Sequence, residues 1–250
     1  MNQATVPTTP IPSVRRSEVP PGLDRSRMRQ PRLIGALFLV GFLVYGAGSS
    51  LVTSLVGGPG FLGTIAPLAS LLALGAFLLL LVTAVDIAKA ILFFPILERH
   101  SKRTALTYYA TLLVEVVFLA MGAIAIFLIV PLSRHAGEPG ARTLAVTLVD
   151  FNNVAYQVGE LTLGVGATFL CALLFRTRLV PRWIAVAGLV GYPFLVVGTI
   201  AELFGVHIGL YLTMPGTVFE LALPVWLFIK GFDRAAFAGP VTPFTEVRPI

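Results

Sequence analysis

The run DFNNVAYQVGELTLGVGATFLCALLF, residues 150–175, decides how this chain folds. It is long enough to cross a bilayer, which takes about 20 apolar residues. Yet it carries Asp150, Asn153, Gln157 and Glu160, followed by Gly164, Thr168 and Cys171. These recur every three or four residues and so fall on one side of a helix. A charge at mid-bilayer costs about 2.5–3.5 kcal/mol on insertion scales, so that side is expected to face a bundle interior, with water near its outer end. A stripe of this kind also serves plain helix packing through hydrogen bonds.

Working outward, five more apolar stretches occupy roughly 33–54, 64–97, 104–131, 182–204 and 209–232. Hydrophobic residues make up 56% of the chain and charged residues 12%, against about 25% charged in a soluble domain. The fold class is therefore all-α: a polytopic integral membrane protein with six transmembrane helices in one bundle spanning 33–232. Residues 1–32 hold six prolines and six arginines and are expected to form a disordered basic tail, with a short tail at 233–250. The first stretch has too long a preceding segment and no clear cleavage site for a signal peptide, so it is expected to stay as the first helix. The second stretch would reach about 50 Å as a single helix. Its helix is expected to project from the membrane or to be broken near Pro67 and Pro95.

The net charge of +6 does not point to nucleic acid, because the basic residues flank the spans. Fifteen of them fall on the side of the termini. Only Arg134 and Arg142 fall on the other. The excess of Lys and Arg marks the cytoplasmic side, so both termini are expected in the cytoplasm of a bacterial cell whose inner membrane holds the chain. The single Cys171 excludes a disulfide framework within the chain.

Polar residues inside the other stretches extend the candidate interior. Asp86 and Lys89 are three apart and can pair on one helix. Glu115 lies about 16 Å into the third stretch and Glu220 about 15 Å from Lys230, so both sit near the midplane and are expected to meet. Intramembrane carboxyls either donate structural hydrogen bonds or carry protons. Glu202 falls at the outer end of the fifth stretch, with His207 just beyond it. With Glu160 they make too scattered a set for a metal site, and no metal is expected. Gly58, Gly60 and Gly63 match GxGxxG, but no strand precedes them, so no dinucleotide cofactor is implied. P-loop, HExxH, CxxC and GxSxG motifs are missing from the chain, so no cofactor or catalytic set is read. Tyr45, Tyr192 and Trp226 read as belt or core aromatics.

Two further pieces carry a resemblance. Leu179-Val180-Pro181-Arg182-Trp183-Ile184 with Gly188 and Gly191 is one. Met214-Pro215, Glu220, Trp226-Leu227 and Lys230-Gly231-Phe232 is the other. With Asp86 and the run from Ala105-Leu106 to Glu115, they resemble the bacterial membrane-protein family called domain of unknown function 4386, over roughly 33–232. The family has no established activity, so the resemblance implies the membrane fold and no chemistry.

Three functions stay open at this point. The chain could bind or move a small solute or protons through a polar interior lined by Asp86, Lys89, Glu115, Asn153, Gln157, Glu160, Glu202 and Glu220. It could be an intramembrane enzyme on a lipid-like substrate, with Glu115 and Glu220 as acid and base. Or it could be a non-catalytic component whose polar residues only specify packing. Its partners are membrane lipids in every case.

Overall fold

A computed structural model describes residues 21–58 and 60–233, with side chains from residue 29 onward. In hydrocarbon each backbone N–H and C=O must be satisfied within the chain, which leaves helices as the solution for sequences of this periodicity. The described residues are accordingly helical, in the order α1 (Pro21–Val56), α2 (Phe61–Ile65), α3 (Ala69–Glu98), α4 (Lys102–Leu132), α5 (Ala141–Thr177), α6 (Arg182–Leu203) and α7 (Gly209–Ile229). Six of these units are long and apolar enough to span a membrane, with α2 and α3 forming one of them.

Two boundaries differ from expectation. Helix α1 begins at Pro21, so residues 21–32, expected in the basic tail, continue the helix instead. Proline fixes a helical φ and, in a first turn, lacks only an N–H that would have no partner there. The rest of both tails lies outside the described residues. In the long second stretch a 3₁₀ turn at Ala66–Leu68 does mark a break at Pro67, but Pro95 lies inside α3. Pro193, Pro215 and Pro224 likewise sit inside α6 and α7.

The turns are set by local chemistry. The Ser101 hydroxyl accepts the Thr104 N–H at 3.3 Å and starts α4. Arg178 takes a left-handed conformation, φ 56°, and ends α5.

The long helices form a closed ring. Each packs against its sequence neighbour, and α7 returns to pack against α1. The resulting order is α1, α3, α4, α5, α6, α7. One end of the bundle carries Arg99, Lys102, Arg178, Arg182 and Lys230 and is called the basic end. Outward faces are apolar and exposed, as at Leu43, Phe77, Val117, Phe169, Val197 and Val218. A surface this apolar suits lipid and not water. Close approach at the seams depends on glycine. A Cβ on Gly191 would lie 2.4 Å from the backbone of Gly216, so α6 and α7 touch main chain to main chain.

Ring closure divides the interior. Near the basic end it is filled by buried Phe93, Leu112, Leu170, Leu174, Leu223 and Leu227. Towards the opposite end a second apolar cluster, including Val52, Leu72, Ile126 and Ala145, packs among α1 to α5. The polar residues lie between these two clusters.

Candidate functional site: an acidic cavity inside the ring

A cavity of about 220 Å³ occupies the middle of the bundle, and all six long helices line it. From α3 come Asp86 and Lys89, from α4 Tyr108 and Glu115, and from α5 Tyr156 and Glu160. Helix α7 adds Thr213, Thr217 and Glu220, α1 adds Tyr45 and α6 adds Tyr192. At 1.5 Å per residue the four carboxyls lie about 14 to 26 Å from the basic ends of their helices. In a hydrocarbon core about 30 Å thick this is the middle to the far half.

Lys89 pairs with Asp86 one turn earlier. Its ammonium also lies 4.6 Å from the centre of the Phe38 ring. The Asp86 side chain is 5% exposed and that of Lys89 15%, so neither charge is supported by bulk water. Across the ring, the Tyr192 hydroxyl donates to Glu220 Oε1 at 3.4 Å. Tyr45 and Tyr156 stack at 5.5 Å with their planes 16° apart. Glu115 is buried, and its Oε2 has no hydrogen-bond partner in the protein. A buried polar oxygen without a partner costs roughly 1–3 kcal/mol, so it marks a place for a donor from outside the chain.

The charge balance points the same way. Four carboxyls face one ammonium in a space surrounded by hydrocarbon and protein. Full ionisation would leave a large uncompensated negative charge there, which is prohibitively costly. The cluster approaches neutrality only by taking up protons or a cationic group.

A second cavity of about 220 Å³ shares Tyr45, Leu119 and Tyr156 with the first. Ser49, Thr53, Asn152 and Asn153 make it polar. It lies towards the end opposite the basic one, where Asn153 and Asp150 are exposed. Helices α1 and α7 touch where Gly35 meets the Pro224 carbonyl. The same α1 face continues through Phe42, 42% exposed, to Gly46, whose Cβ would meet nothing within 4 Å. The matching α7 face carries Thr213, Thr217 and Glu220, at helical spacing from Pro224.

Of the eight residues singled out from sequence, Asp86, Lys89, Glu115, Glu160 and Glu220 line the central cavity and Asn153 the second one. Glu115 and Glu220 stand on opposite walls, since α4 and α7 lie across the ring from one another. Gln157 is half-buried on α5 and lines neither cavity. Buried Ala155, Gly159, Gly166, Leu170 and Leu174 of α5 lie about a third of a turn from the polar stripe, whose own Gly164 and Cys171 are buried against Tyr192 and Gly188 of α6. Gly166 there meets Thr111, and Gly122 meets Asn152.

Glu202 belongs elsewhere. Its Oε1 accepts the Gly209 N–H at 2.8 Å and its Oε2 lies 3.0 Å from His207 Nδ1. It therefore caps the start of α7 instead of lining the interior. Among the described residues no three His, Cys, Asp or Glu side chains gather as metal ligands.

Tyr108 lies two turns before Glu115 and shares its helix face, whereas the tyrosines at 45, 156 and 192 were the missed element. Four of the six in the chain, at 45, 108, 156 and 192, face the central cavity. Tyr156 could have been found, since it lies one turn before Glu160. Tyr192 carries no sequence signal, because the helix is apolar around it, and Tyr45 has only Ser49 one turn on.

No curated protein and no solved structure matches the chain. The profile described as Domain of unknown function (DUF4386) matches residues 33–231, which is the whole ring of helices. The chain, with its six membrane-spanning helices, belongs to that family.

Proposed function

We propose that this protein binds a small cationic solute, or protons, in the acidic cavity of its helix ring. One observation carries the reading: four carboxyls and four tyrosines from across the bundle converge on one cavity, and buried Glu115 there has an oxygen without a partner. A volume of about 220 Å³ holds several waters or one small solute. Access runs through the second cavity from the end opposite the basic residues, while the apolar packing near the basic end stands against an open pore. In the bacterial inner membrane, with the termini cytoplasmic, the site would be reached from outside the cell.

The open space at Gly46 and the exposed Phe42 on the α1 face that meets α7 favour a second reading, in which a lipid-like molecule enters sideways and Glu115 and Glu220 act on it as acid and base. The two readings separate experimentally. Purified protein in detergent is heated with methylammonium or tetramethylammonium chloride, and with sodium chloride at equal ionic strength. Proteoliposomes with an internal pH dye report proton movement. Binding of the proposed kind raises the unfolding temperature with an ammonium ion, or moves protons, and Glu115→Gln and Glu160→Gln lose the response. Equal behaviour of ammonium and sodium together with no proton signal would sink it.

A further inference from the structure

We infer that a second site, at the basic end of the bundle, holds the phosphate group of an anionic membrane lipid. The turn between α5 and α6 and the end of α7 enclose a pocket of about 370 Å³. Arg178, Arg182 and Lys230 line it, with Asp233 as the carboxylate among them and Trp226 on its wall. Three cations against one carboxylate leave the pocket positive. The two sequence pieces that carried the family resemblance meet here, although they are some 50 residues apart.

The pocket is built and held. The Asp233 N–H donates to the Leu179 carbonyl at 2.9 Å and ties the end of α7 to the α5–α6 turn. Leu179, Val180 and Phe232 are buried beneath it. The left-handed conformation of Arg178 ends α5 and turns the chain towards α6. The Arg182 guanidinium carbon lies 5.1 Å from the centre of the Phe175 ring. Helix α6 also starts at Arg182, so its N-terminal amides and dipole add to the positive field.

The surroundings select a lipid over a free anion. Trp183, Phe228 and Ile229 are exposed beside the cationic rim, at 57%, 49% and 65%. Acyl chains would run along these side chains while the phosphate sits among the cations. Trp226 supplies the amphipathic ring that favours the headgroup level. Basic pockets between membrane helices have this chemistry for anionic headgroups.

The test uses the full chain in detergent, with lipid binding counted by native mass spectrometry and thermal unfolding followed in parallel. Phosphatidylglycerol is expected to bind and to raise the unfolding temperature, and phosphatidylcholine is not. Arg182→Gln with Lys230→Gln should weaken phosphatidylglycerol binding about thirty-fold, and Lys230→Gln alone, at an exposed position, about five-fold. Arg134→Gln with Arg142→Gln, at the opposite end, should leave it unchanged. Because the single Lys230 change is on the surface, it keeps the test valid if the double variant fails to fold. Equal binding of the two lipids, or undiminished binding by Lys230→Gln, overturns the inference. Reproduction of the whole thermal shift by inorganic phosphate alone overturns the lipid as source.

Discussion

At the residue scale the interior, among the described residues, is organised by one ion pair and one unpartnered oxygen. Asp86 and Lys89 satisfy each other inside the bundle, so removing either leaves a buried charge alone. Lys89→Met should therefore cost about 3–5 kcal/mol in unfolding from detergent, and Asp86→Asn with Lys89→Met should recover most of it. A single variant as stable as wild type would mean that water reaches the pair. Glu115 differs, because its Oε2 accepts nothing from the protein. Glu115→Gln should leave unfolding nearly unchanged while abolishing the stabilisation by ammonium ions or the proton signal. Both residues were legible as intramembrane charges, because a charged side chain in an apolar run has few explanations. The pairing was legible too, since a spacing of three places both on one helix face.

At the element scale the helices are joined by seams whose tolerance differs on the two sides. A Cβ at Gly191 would lie 2.4 Å from the Gly216 backbone, whereas one at Gly216 would lie 3.7 Å from the backbone of Gly191. Gly191→Ala is expected to destabilise by about 1–3 kcal/mol and Gly216→Ala to be nearly neutral, as read by thermal unfolding. Equal costs would show that the seam adjusts. The start of α7 makes a second case. Glu202→Ala removes the acceptor for the Gly209 N–H and the His207 contact. Faster amide exchange confined to Gly209–Thr213 is the expected result, with the cavity residues unaffected. Here the sequence misled, because an acid near a span end looks the same whether it caps a helix or lines an interior. The distinction depends on where the next helix begins.

At the scale of the whole molecule the ring places an acidic cavity between two apolar clusters and a basic rim at one end. The distribution of Lys and Arg predicts that reporters fused at Ile250 and near Glu138 report opposite sides, with Ile250 in the cytoplasm. An externally active reporter at Ile250 would reverse the side from which the cavity is reached. The same asymmetry concerns access. Cysteine at Asn153, exposed at the mouth of the second cavity, should react with a water-soluble thiol reagent added outside, and cysteine at buried Leu223 should not.

By itself the sequence determined the solvent, the number of spans, the Asp86–Lys89 pair and the gathering of basic residues at one end of the bundle. Each of these follows from hydrophobic length, charge cost or a spacing within one helix, and needs no knowledge of neighbours. Tertiary structure alone decided which polar residues share a space. Helical periodicity tells which face a residue is on, but not what stands opposite that face. Closure of α7 onto α1 brings Tyr45 and Glu220 to one cavity from positions far apart in the chain, while the start of α7 at Gly209 takes Glu202 as its cap. The basic pocket arises likewise, because Arg182 and Lys230 become neighbours only when α6 and α7 pack main chain to main chain through Gly191 and Gly216.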